Sequence, residues 1–107
     1  MELQTLRNFI EIADHGSITA AARTLGISQP GLSRQLKDLE KELGVKLLIR
    51  GNRRVTLTED GTYLLNRARE LTAIAERTKN IYKANMPWAV ISISVQAKLA
   101  ANDSCSS

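Results

Sequence analysis

Cysteine and histidine are all but missing from this 107-residue chain, which has one of each, Cys105 and His15. A single cysteine gives neither a disulfide framework nor a cysteine-based metal site. A lone histidine near a helix end reads as a solvated or dipole-stabilising residue, not as a ligand or catalytic base. The sequence has no Cys–His pair, metal-ligand cluster, phosphate-cradling glycine loop or carboxylate dyad, so no enzyme chemistry, metal or cofactor is expected. It also lacks an apolar run of membrane-spanning length and a signal-peptide pattern, which makes a reducing, cytoplasmic setting the expectation. The length allows one domain and a protruding element, with a core that needs no disulfide or metal.

Positive charge, by contrast, is present and concentrated. The formal net charge is +4. Between Arg23 and Arg54, eight basic residues (Arg23, Arg34, Lys37, Lys41, Lys46, Arg50, Arg53, Arg54) stand against three acidic ones (Asp38, Glu40, Glu42). A field so placed favours an anionic polymer as partner.

Residues 3–14, LQTLRNFIEIAD, set Leu3, Leu6, Phe9, Ile10 and Ala13 on one side and Gln4, Arg7, Asn8 and Glu11 on the other, which predicts an amphipathic helix. Gly16 is its stop, and Ser17 caps a short helix, ITAAARTLG, whose alanines at 20, 21 and 22 allow close approach. Gly26-Ile27-Ser28 reads as a tight turn in which Ile27 plugs the core and Ser28 caps the next helix. In SQPGLSRQLKDLEKELG, Leu32, Leu36, Leu39 and Leu43 form one core-facing stripe. Pro30, Arg34, Lys37 and Lys41 lie roughly opposite, with Ser33 on their flank. Pro30 fits the first turn, where a missing N–H costs nothing, and Gly44 closes the helix. Two helices joined by a short glycine-containing turn make a helix-turn-helix.

VKLLIRGNRRVTL follows as a β-hairpin with a basic tip. Three arginines within five residues (Arg50, Arg53, Arg54) repel one another unless a counter-charge arrives. Thr58 caps a last helix from Glu59 to about Ala84, with Glu59 and Asp60 in its first turn. Along it, Leu64, Ala68, Leu71, Ala75, Thr78 and Tyr82 recur at spacings of 4, 3, 4, 3, 4, and Ile74 and Ile81 widen the seam. A helix that outruns so small a core needs a partner, most economically a second copy of itself. Pro87 ends it, Ala89–Val95 alternate like a strand, and the last dozen residues are small, polar and expected to be disordered. There is no internal repeat.

The stretches LRNFIEIADHGSITAAARTLGISQPGLSRQLKDLEKELGVKLLIR and RRVTLTEDG resemble the N-terminal region of LysR-type transcriptional regulators. The resemblance spans residues 1–84, and its motif is specific: S-Q-P-x-L-S-R-Q-x-x-x-L-E-x-x-L-G, then a wing, then L-T-x-x-G. It implies a mainly α fold, a winged helix-turn-helix with a two-stranded wing at residues 1–58 and a long dimerisation (linker) helix at 59–84. A short atypical tail occupies residues 85–107. Two positions depart from the family: Leu48 stands where Phe is usual, and Gly31 where Ala is usual. Gly31 costs its helix about 0.5–1 kcal/mol against Ala. AVISISV resembles the opening strand of the family's two-lobed effector domain, but too little chain follows for that domain to form. The expectation is a fragment, a truncated product or a chain with an altered end, binding no small-molecule effector.

The resemblance implies that the helix of residues 29–43 enters the major groove of double-stranded DNA. Gln29 would pair with adenine and Arg34 with guanine, Pro30 would touch a thymine methyl, and Ser33 would meet a base or a phosphate. Ser17, Thr19, Arg23, Lys37 and Arg50 would hold phosphates, and Arg53 and Arg54 would enter a flanking minor groove. A homodimer or higher oligomer joined through Leu64, Ala68, Leu71, Ile74, Ala75, Thr78, Ile81 and Tyr82 would read an inverted repeat. The rival reading is an interaction module that dimerises with full-length regulators and antagonises them. Salt-dependent DNA binding separates the two, since the rival has no DNA affinity to lose.

Overall fold

Hydroxyl residues start three of the helices and glycines end three of them. Ser17 Oγ accepts from the Ala20 N–H at 3.1 Å, Ser28 Oγ from Gly31 at 3.1 Å, and Thr58 Oγ1 from Gly61 at 3.0 Å. Gly16, Gly26 and Gly44 are the C-caps. At Gly26 the left-handed backbone (φ 71°) lets the chain reverse within a few residues, from one helix of the pair into the next. The resulting order is α1 (Leu3–His15), α2 (Ile18–Leu25), α3 (Gln29–Leu43), β1 (Leu48–Arg50), β2 (Val55–Leu57) and α4 (Glu59–Lys83). This is a computed structural model, and it describes residues 1–84. The expected strand at 89–95 and the polar tail lie outside the described residues.

The chain divides into two compact units, Met1–Ile74 and Ala75 onward. In the first, α1, α2 and α3 pack on one another around Leu6, Phe9, Ile12, Ala21, Ala22, Leu32, Leu36 and Leu39. β1 and β2 form an antiparallel ladder, Leu48 opposite Leu57, Ile49 opposite Thr56 and Arg50 opposite Val55. Leu47 and Leu48 anchor the wing in the core, while Leu64 and Ala68 of α4 complete it. The first unit is thus a winged helix-turn-helix that extends past residue 58, because the opening turns of α4 supply part of its core. In the second unit, α4 continues to Lys83.

Several side chains depart from the expected pattern. Asn8 was placed on the outer face of α1, yet it is 5% exposed, and Ile12 is buried while Leu3 is exposed. The face is rotated because Asn8 is fully bonded: its Nδ2 donates to Gln35 Oε1 of α3 at 2.7 Å, and its Oδ1 accepts from Gln4 at 3.0 Å. A buried amide with both ends satisfied carries no outstanding desolvation penalty. Ile27 is exposed and does not plug the core. The turn is held by its backbone instead, with the Ile27 N–H donating to Ala22 O at 3.1 Å. Leu43 is exposed as well, since the chain turns off at the Gly44 cap directly after it.

The entry into α4 is closely packed against the base of the wing. Thr58 N–H donates to the Leu47 carbonyl at 3.0 Å, and a Cβ added at Gly61 would collide with that same carbonyl. A Cβ at Gly31 would meet only the Ser28 hydroxyl, which can give way at the expense of its cap bond. Gly61→Ala is therefore expected to lose about 1–3 kcal/mol despite alanine's better helix propensity. Gly31→Ala should stay within about 1 kcal/mol of the parent. Urea unfolding of the two variants checks the contrast, and equal stabilities would contradict it.

Candidate nucleic-acid interface

Three segments distant in sequence open onto one groove of about 230 Å³: the start of α2 (Ser17, Thr19), the start of α3 (Gln29) and the wing (Arg50 to Val55). Helix N-termini present unpaired N–H groups and partial positive charge, so two of them beside arginines form an anion-seeking surface. Ser17 Oγ accepts its cap bond and still has its own hydrogen to donate outward. Gln29, Thr19, Arg50, Arg53 and Arg54 are exposed around it.

Backbone bonds fix how these parts meet. Val55 N–H donates to the Gly16 carbonyl at 3.0 Å, tying β2 to the turn that begins α2. Gly51 N–H donates to the Arg54 carbonyl at 2.8 Å and closes the hairpin tip. At the base of the wing, Glu40 Oε2 accepts from the Leu47 N–H at 2.7 Å and from Leu48 at 3.4 Å, while Thr58 Oγ1 donates to the Lys46 carbonyl at 2.6 Å.

The remaining expected residues divide between surfaces. Pro30 and Arg34 are exposed on α3 but do not line this groove, and Arg23 is exposed in the last turn of α2. Lys37 lines a second groove with Lys46, Leu48, Ile49 and Arg50. It also borders a third surface with Glu40, Lys41 and Lys46. Ser33 departs from an outward-facing reader. It is only 9% exposed, because it lies on the flank of α3 reached by the wing, and its Oγ accepts from Arg50 Nη2 at 2.6 Å.

The seam along α4 is corrected at its first two positions. Leu64 and Ala68 are 8% and 0% exposed within their own domain, which closes them to a second chain. Their spacing was right, but it serves the domain core. Leu71 and Ile74 are exposed in the first unit. In the second unit Ala75 and Ile81 are half-buried, and Thr78 and Tyr82 are exposed.

Sequence reasoning missed Glu40, Gln35 and Asn52. Glu40 is the Glu of L-E-x-x-L-G, and that position is its one signal in the sequence. Gln35 carries no signal, since its role as partner to the buried Asn8 amide depends on tertiary contact. Asn52 shares the hairpin tip with the arginines and lines the groove with them. Among the described residues no group of three or more His, Cys, Asp or Glu is placed to hold a metal, and no helix is long and apolar enough to cross a membrane.

A two-helix unit with a buttressing wing defines the class, a winged helix-turn-helix. The family model for bacterial regulatory helix-turn-helix proteins of the lysR family matches residues 3–62, and the chain belongs to that family. It is 50% identical over 76 residues to the HTH-type transcriptional regulator ClcR of Pseudomonas putida, which covers 71% of this chain and 26% of that protein. It is 50% identical over 72 residues to the HTH-type transcriptional regulator BsdA of Bacillus subtilis (strain 168), with 66% and 25% covered. The chain thus spans about a quarter of the length of these relatives. Among solved structures it resembles the CbnR DBD–DNA complex, with a TM-score of 0.75 and 40% identity over 79% of this chain and 98% of that one. It is similar also to the BenM DBD/catB site 1 DNA complex, with a TM-score of 0.76 and 40% identity over 78% and 93%.

Glu40 gives the interface its measurable hinge. Glu40→Ala should lose about 1.5–3 kcal/mol in urea unfolding, the range for hydrogen bonds to a charged group. Hydrogen exchange at the Leu47 amide should accelerate with it. Glu40→Gln, which keeps an acceptor, should lose less; an unchanged Leu47 amide in the alanine variant would remove Glu40 from this role.

Proposed function

We propose that this chain binds double-stranded DNA in a sequence-specific way, as the DNA-reading part of a LysR-type transcriptional regulator working in the cytoplasm. One observation carries this reading: the starts of α2 and α3 and the arginines of the wing open onto a single groove. The DNA-bound structures it resembles support the same reading. In this scheme α3 lies in the major groove, where Gln29, Pro30 and Arg34 meet base edges. Ser17, Thr19, Arg23, Lys37 and Arg50 hold phosphates, which fix register without reading sequence. Arg53 and Arg54 reach the flanking minor groove, whose potential is most negative where A·T-rich DNA narrows it.

The chain acts as a dimer through α4. Leu71 and Ile74 are exposed apolar side chains one turn apart, the arrangement a paired helix covers. Two copies then read the half-sites of an inverted repeat about one helical turn, or a multiple of it, apart.

Selection of bound fragments from random DNA, followed by titration against salt, tests the reading. The expected result is a recurrent inverted repeat and a log–log salt slope of about −4 or steeper, given five basic side chains per protomer in phosphate or groove roles. No recovered motif would overturn it. Arg34→Ala should lose about 1–3 kcal/mol of discrimination at one base pair; an equal loss on every sequence would make Arg34 a phosphate contact. Leu71→Glu should remain folded, sediment as a monomer and lose most specific affinity. A dimeric Leu71→Glu would place the interface elsewhere.

A further inference from the structure

We propose that Ser33 is a positioning residue for Arg50. Its hydroxyl holds the Arg50 guanidinium against α3, so that the recognition helix and the wing meet DNA as one preset unit; this rests on the DNA-binding reading above. Ser33 is 9% exposed, and its Oγ accepts from Arg50 Nη2 at 2.6 Å, a short, charge-assisted bond. The backbone of Arg50 is fixed as well, because it pairs with Val55 at the last rung of the wing ladder. Both ends of the side chain are thereby held.

The chemistry of the partner matters. Among the described residues no carboxylate pairs with Arg50, although Asp14 holds Arg69 and Glu70 holds Arg67. A hydroxyl orients a guanidinium without cancelling its charge, and most of its five N–H donors stay available for a phosphate. Arg50 lines both the groove with Gln29 and the wing tip and the groove with Lys37 and Lys46, and Glu40, the carboxylate in the latter, is bonded to the Leu47 and Leu48 amides. Immobilising the side chain before DNA arrives removes an ordering cost from binding. The hydroxyl of Ser33 thus reaches DNA through Arg50.

A double-mutant cycle on the selected DNA site tests this, using Ser33→Ala, Arg50→Ala and the pair together. Ser33→Ala is expected to weaken binding about three- to tenfold, equally for every single-base variant of the site. In the Arg50→Ala background it should add nothing. Ser33→Ala should also flatten the log–log salt slope by up to about one, although it removes no charge. A structural defect alone would leave that slope in place. Ser33→Cys, close in size and a weak acceptor, should behave alike and covers the case in which alanine unsettles the core. A loss confined to one base pair would make Ser33 a base reader, and independent losses in the cycle would uncouple it from Arg50. Either result overturns the proposal while DNA binding stands. A parent chain that selects no sequence removes both.

Discussion

The backbone of Leu47 carries the joint between α3, the wing and α4. Its side chain is fully buried, its N–H is held by Glu40 of α3, and its carbonyl accepts from Thr58. That carbonyl also lies so close to Gly61 that only glycine fits there. Three elements are therefore referenced to one residue. Remove the carboxylate and the wing loses its register on α3; add a methyl at Gly61 and α4 is pushed from the core. The placement of the arginines, and hence of the whole anion-seeking surface, depends on this joint.

Charge is sorted by the same economy. Glu40, the carboxylate among the lysines beside the wing, is committed to backbone amides, and Asp14 to Arg69 across α1 and α4. Arg50, Arg53 and Arg54 are left at the groove with the two helix N-termini. Like charges gathered on one rim destabilise the free domain slightly and become favourable when phosphates arrive.

Caps, glycine stops, the hairpin and the start of α4 were legible because each has local chemistry: a hydroxyl before a helix, a glycine after it, alternating apolar residues around a polar tip. Gln29, Arg34, Arg53 and Arg54 could be placed on the surface for the same reason. What escaped was tertiary. Nothing in the order of residues says that Asn8 is buried on Gln35, that Ser33 lies under Arg50, or that the heptad spacing of Leu64 and Ala68 closes a domain core before any second chain could use it. Hydrophobic periodicity reports that a face is covered, and it is silent about what covers it.

The bond from Val55 to Gly16 has a consequence for how such a protein can diversify. It locks the stem of the wing to the turn that opens α2, and Gly51 and Arg54 close the tip through main-chain atoms alone. The bond that closes the tip thus uses no side-chain atom of Asn52 or Arg53. A substitution at the tip can therefore change the charge displayed there while the stem keeps its place against α2.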